Sequence, residues 1–275
     1  MPYVPRKRTT TAPSKRKYVR KAYAPRKRAA KPSKSFVKKV QSVIHKDSEN
    51  KLAVHEIDTV LFNSGINSTG DMQRVLPNIA QGVAEQQRIG EQVRAQKLTI
   101  KGHLIMSSAY GDAIASSRIC VRMMVVCPKN LQSFGDVNAS ATWLSQLLKK
   151  GSQNTAFTGL ISDLYAPINH DQITCFYDKL IYLSQPYEKR VVNSGDVVVS
   201  SNYALDLRKT VKMFSISMKV KNKLLRYNAQ LSSTQPTNYA PVLLLGYSHL
   251  DGSAVDITNT QVALSYFSVV QFEDM

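Results

Sequence analysis

The sequence predicts an all-β fold, an eight-stranded antiparallel jelly roll behind a disordered basic N-terminal arm. Three observations predict it. Stretches of period-two hydrophobic alternation recur from residue 52 onward, only one helical pattern interrupts them, and nearly all of the net charge of +18 lies ahead of them. From Met1 to Lys46 there are 16 basic residues and no acidic one, whereas the other 229 residues hold 21 basic and 19 acidic, a net of +2. The chain therefore divides into an arm, 1–46, and a body, 47–275, and the 43% apolar content of the whole can supply the body with a sizeable core.

The arm comes first. Its basic residues fall in clusters, Arg6-Lys7-Arg8, Lys15-Arg16-Lys17, Arg20-Lys21 and Arg26-Lys27-Arg28, followed by Lys31 and Lys34 and punctuated by Pro2, Pro5, Pro13, Pro25 and Pro32. The prolines break helices. Mutual repulsion and a shortage of large aliphatic side chains leave little burial to offset the entropy of ordering, so an extended, mobile arm is expected. Sixteen unopposed charges are far more than solubility requires. They match a polyphosphate, where each neutralised phosphate releases a counterion. The expected nucleic-acid contacts are the arm's clustered residues together with Lys38 and Lys39. Tyr3, Tyr18 and Tyr23 stand among the clusters, and rings so placed can stack on exposed bases, which favours a single strand. The short runs Lys15, Arg16, Lys17, Arg20, Lys21 and Arg26, Lys27, Arg28 also read as nuclear localisation signals. Two rivals rank lower. The prolines spoil the amphipathic helix of an organellar transit peptide, and an anionic membrane surface would want a lipidation motif or large apolar anchors that the arm lacks.

Residues 35–45 change character. Phe36, Val37, Val40, Val43 and Ile44 fall on one helical stripe that Ser35 can cap, either lying between nucleic acid and body or packed on the domain edge. Beyond it the spacing predicts strands near 54–63, 94–107, 117–127, 173–184, 190–199, 210–221, 241–249 and 262–272. Leu98, Ile100, Leu104 and Met106 alternate with Thr99, Lys101, His103 and Ile105, and the segments are rich in β-branched and aromatic residues. One helix is expected over 141–150, where Trp143, Leu144, Leu147 and Leu148 form an apolar face and Gly151 a stop. Eight strands without alternating helices, joined by long polar connections, suit an antiparallel jelly roll.

Other classes are excluded or weakened. No apolar run approaches the length needed to cross a bilayer, and no apolar signal-peptide core follows the first residues. Cys120, Cys127 and Cys175 are an odd, sparse set that argues against a disulfide framework and for a reducing compartment. Cys120 and Cys127, seven apart in one strand, are expected on opposite faces as inert thiols. There is no phosphate-binding glycine loop, no nucleophile-elbow serine and no zinc-protease motif. The five histidines are dispersed, with His103 on an outward face. Asp163, Asp171 and Asp178, like Asp251 and Asp256, read as loop or strand-end charges more simply than as carboxylate clusters. The expectation is a protein that is not an enzyme, with no cofactor and no metal.

The order of features resembles the coat proteins of small circular single-stranded DNA viruses of the circovirus-like kind. The likeness rests on Gln81 to Leu104, QGVAEQQRIGEQVRAQKLTIKGHL, where Gly82, Arg88, Ile89 and Gly90 lead into a strand carrying Leu98, Ile100 and Gly102. It continues in FYDKLIYLS at Phe176 to Ser184, in FSISMKVKNKLLRYN at Phe214 to Asn228 and in SYFSVVQFED at Ser265 to Asp274. The resemblance implies a capsid subunit in a shell of about sixty identical copies, closed by symmetry, whose arms turn inward onto a single-stranded DNA genome. On that count the arms together hold roughly a thousand positive charges, enough to neutralise about a kilobase of single strand. It also implies a virion that visits the host nucleus, host import receptors, a cell attachment factor, and no membrane partner. Basic arms join jelly rolls in RNA virus coats too. A ribosomal or chromatin-associated protein with a basic tail is the non-viral alternative.

Overall fold

Alternating apolar and polar side chains give a strand one face to bury, and the chain uses this to build two four-stranded antiparallel sheets. The computed structural model describes residue 39 and residues 50–66, 68–106, 118–184, 189–191, 197–199, 210–229, 233–250 and 262–274. By its contacts the chain divides between Val43 and Ile44, and both sheets belong to the second unit. The first sheet runs β1 (Asn50–Phe62), β12 (Val262–Asp274), β3 (Gln92–Met106), β10 (Val211–Arg226). The second runs β2 (Met72–Arg74), β11 (Val242–His249), β4 (Arg118–Pro128), β7 (Ile173–Ser184). Two hairpins, β5 (Leu148–Lys150) with β6 (Gln153–Thr155) and β8 (Lys189–Val191) with β9 (Val197–Val199), stand apart. Counted in chain order, the eight strands of the two main sheets read 1-8-3-6 and 2-7-4-5. Each sheet interleaves early and late strands, which is the double Greek key of a jelly roll.

The two sheets face one another across a core to which β3 contributes Leu98, Ile100 and Leu104, β4 Val121, Met123 and Val125, β11 Leu243, Leu245 and Tyr247, and β12 Leu264, Tyr266 and Phe272. Burying each such side chain contributes about 1.5–3 kcal/mol before the entropy of ordering it is charged against the total. The Tyr266 hydroxyl donates across to the Arg74 carbonyl at 2.7 Å, tying β12 to the end of β2. Opposite Tyr266, strand β3 has Gly102. A Cβ there would collide with the Ser265 carbonyl oxygen and sit 2.7 Å from the Cβ of Tyr266, so only a bare backbone fits.

The two central strands of the second sheet are buried on both faces, while its edge strand β7 keeps Phe176 and Tyr182 exposed. Every residue of β11 is buried, as is almost all of β4. The outer face of this sheet is covered by residues 131–168, including α1 (Phe134–Ala139), a 3-10 turn (Thr142–Gln146) and α2 (Ile161–Tyr165). Cys120, Met124 and Val126 point into that outer cluster, whereas Cys127 packs against the inter-sheet core, so the two cysteines do lie on opposite faces. The first sheet keeps one face open. Leu52, Val54, Met213 and Phe267 are exposed on it.

Two expectations are corrected. The strand expected near 190–199 is the short hairpin β8–β9, and the eighth strand of the roll is instead β2, three residues inside a stretch that reads as a long polar connection. Three residues show no periodicity, and β2 is held as an edge strand by pairing with β11. The helix expected over 141–150 is a 3-10 turn that gives way to strand β5. No side chain caps its start, and Gly151, at φ +62°, turns the chain into β6 rather than ending a helix. The four apolar side chains that suggested the helix do face the outer core cluster. The stripe over 35–45 lies outside the described residues except for Lys39.

Candidate nucleic-acid interface

Of the residues expected to contact nucleic acid, only Lys39 is among the described ones, and it is exposed. The rest of the basic arm and both localisation runs lie outside them, as do Asp251 and Asp256.

The body's near-neutral total conceals a division by strand. Strands β3 and β10, neighbours in the first sheet, contain Arg94, Lys97, Lys101, Lys212, Lys219, Lys221, Lys223 and Arg226 and no acidic residue. Strands β1 and β12 contain Lys51 as their one basic residue, against Glu56, Asp58, Glu273 and Asp274. Register then sets what shares the open face. One row across the sheet is Lys219, Lys97, Gln271 and Leu52; two residues along it is Ser217, Thr99, Val269 and Val54; two further it is Ser215, Lys101, Phe267 and Glu56. His103 follows on the same face beside Met213 and Ser265, outward as expected. Bulges interrupt the pairing next to the first row, between Gln271 and Phe272 on β12 and between Lys219 and Lys223 on β10, where Asn222 takes φ 56°. The sequence signal for this basic half-sheet was two acid-free stretches. Only the pairing of β3 with β10 makes them one surface.

Elsewhere charge serves the fold. Arg122, buried on the outer side of β4, grips Asp178 with two hydrogen bonds at 2.9 and 2.6 Å and donates to the carbonyls of Asp163 and Ala166 at 2.6 and 2.7 Å. It thereby ties α2 to the sheet. Asp163 is fully buried and accepts from the Thr158 amide and hydroxyl at 2.6 and 2.7 Å while pairing with Lys150. Burial works against its charge, but Lys150 and Thr158 together outweigh it and hold the carboxyl below the usual carboxylate range. Asp171 pairs with Lys149 at 3.2 Å. The three aspartates thus have separate cations and form no cluster, although Asp163 lies within α2 and Asp178 in mid-strand rather than in a loop or at a strand end. Among the described residues no group of three His, Cys, Asp or Glu side chains is placed to hold a metal.

Arg88, within the motif that carries the family likeness, is fully buried. It donates to the Gly90 and Ser233 carbonyls at 2.5 and 3.0 Å and lies 4.4 Å over the Tyr227 ring, stapling the loop before β3 to the segment before β11. Burial pushes the Tyr227 phenol well above its ordinary range despite the nearby guanidinium. Burial likewise raises all three thiols, Cys120 to about 11, which keeps them protonated and unreactive at neutral pH.

Asp163 gives a pH-dependent expectation. Because its folded pKa lies below the unfolded value of about 3.8, its ionised form stabilises the fold fully above that value and stops doing so as pH falls through the folded pKa. Asp163→Asn should lower stability by about 2 kcal/mol at neutral pH, and the gap between variant and parent unfolding midpoints should close as pH falls below 4. A gap independent of pH down to 2 would contradict the assignment.

No family model matches the chain, and no curated protein matches it. Among solved structures, the mavirus penton protein is similar at 9% identity over 82% of this chain and 99% of that one, with a TM-score of 0.17. The VP2 subviral particle of infectious bursal disease virus is similar at 13% identity over 82% of this chain and 42% of that one, with a TM-score of 0.14. At such scores neither likeness bears on the role, which is argued below from strand order and charge.

Proposed function

We propose that the chain is a viral coat subunit that assembles with identical copies into a small closed shell and packages a circular single-stranded DNA genome through residues 1–46. The strand order of the two sheets carries the reading. An eight-stranded jelly roll is an architecture used by capsid domains, as well as by lectins and cupins, and here it follows an arm with 16 basic residues and no acidic one. A body of net charge +2 can pack against copies of itself with little like-charge repulsion, whereas the arm suits a polyanion. The subunit does no chemistry in this reading and needs no cofactor. Its arm would also engage host import receptors through Lys15–Lys21 and Arg26–Lys31, taking the protein to the host nucleus before it enters the virion.

The basic half of the first sheet also suits a non-viral protein threaded through nucleic acid, and self-assembly separates the two readings. Genome chemistry is testable with the full chain. Binding to a DNA oligomer and to an RNA oligomer of the same sequence should fall with salt along a log–log slope of up to about −11, set by sixteen phosphate contacts at 0.7 each. DNA should compete at least as well as RNA. A slope near zero on both would overturn the packaging role, and strong preference for RNA would overturn the DNA assignment.

A further inference from the structure

We propose that the open face of the first sheet is a second contact surface for single-stranded nucleic acid, with Lys97, Lys101 and Lys219 taking phosphates and Phe267 taking a base. This rests on the packaging role and names a site in the folded body that acts beside the arm. Lys219 stands directly opposite Lys97, and the row they share continues through Gln271 and Leu52 with no carboxylate. Like charges directly opposite one another in a sheet are destabilising. All three lysines are exposed, and none has an ion-pair partner among the described residues. A face that keeps such a pair unneutralised is matched to a polyanion.

The groups between and beside the lysines fit the same ligand, and the one carboxylate in these three rows, Glu56, stands on β1 on the far side of Phe267 from Lys101. Between the two lysine rows lie the hydroxyls of Thr99 and Ser217, which can donate to phosphate oxygens. Phe267 pairs with Lys101 and is 48% exposed, although a residue of that size on a strand would ordinarily be buried. Cations beside an exposed ring form the combination by which proteins hold single strands without reading sequence. Duplex is disfavoured, because its bases are stacked away from the ring. Asn50, the first residue of β1 in this sheet, is separated from the arm by three residues in sequence, so one strand bound by the arm has a second site close along the chain.

The test uses the full chain with its arm intact and a fluorescent oligodeoxythymidine as probe. The triple variant Lys97→Ser, Lys101→Ser, Lys219→Ser should make the log–log salt slope shallower by about 2, three contacts at 0.7 each. Phe267→Ala should weaken binding at least about fivefold with the slope unchanged, the signature of a lost stacking contact. These side chains are exposed, so melting temperatures should match the parent. If both variants bind like the parent, the face is not a nucleic-acid site, while a steep slope of about −11 shared by parent and variants leaves the packaging role standing. If the triple variant keeps its slope but sediments as smaller species, the face is a contact between copies and the inference is overturned. If the parent itself does not bind the probe, the packaging reading fails with it.

Discussion

A chain lacking residues 1–46 is expected to retain self-association and to lose most of its nucleic acid. Sixteen of the 37 basic residues leave with the arm, and what remains has a net charge of +2. If all sixteen contact phosphate, the truncated chain's salt slope should be shallower by about 11. The three lysines on the open sheet add about 2 to the arm's share, and a slope of about −2 is what the truncated chain should keep. Self-association should survive, because the described jelly roll begins at Asn50 and its two sheets and their core lie wholly within residues 50–274. Particles or oligomers purified from cells should accordingly show an absorbance ratio close to that of protein alone. Nucleic-acid content equal to that of the full chain would move the packaging role from the arm to the body.

The second large effect concerns the fold. Arg122→Met should cost about 2–4 kcal/mol, because it leaves the Asp163 and Ala166 carbonyls without their donor and the part-exposed Asp178 carboxylate without its cation. Removing both partners, Arg122→Met with Asp178→Leu, should cost less than Arg122→Met alone, since no carboxylate is then left facing an apolar side chain. Denaturant unfolding at one fixed protein concentration reads both, the concentration being fixed because association would stabilise the folded subunit. If the double variant is less stable than the single one, the assignment of Asp178 as the partner that Arg122 neutralises across β4 and β7 is wrong. The consequence for assembly is direct, since α2 belongs to the layer covering the second sheet and its loosening would expose Met124, Val126 and Leu244.

Much of this fold was legible because the first sheet has one open face. Leu98, Ile100, Leu104 and Met106 alternate with polar residues because only one side of β3 is buried, and the same holds for β12. The second sheet hid better. With residues 131–168 over its outer side, β11 becomes an unbroken buried run, recognisable as apolar but without a period. Strand β2 was out of reach at three residues, its place fixed by β11 rather than by any pattern of its own. The 141–150 segment misled because a stripe of Trp143, Leu144, Leu147 and Leu148 satisfies helical spacing, yet a 3-10 turn followed by a strand buries the same side chains.

The candidate interface divides in the same way. Charge counting found the arm without any structure, because sixteen basic residues in one sixth of the chain need no fold to be seen. Averaging over the body concealed the basic half-sheet, because Glu56, Asp58, Glu273 and Asp274 on β1 and β12 offset the lysines of β3 and β10 in the sum while lying on other strands. Arg88 shows the converse. It stands in the stretch that most resembles the viral family, and its place is buried over the Tyr227 ring as an internal staple.

The proposal that this chain builds a shell is tested most directly by imaging purified full-length protein with negative-stain electron microscopy across a range of salt concentrations, with sedimentation on the same samples. Closed particles of uniform diameter, containing nucleic acid at low salt, are the expected result. A protein that stays strictly monomeric at every salt concentration, with or without a single-stranded DNA present, would contradict it.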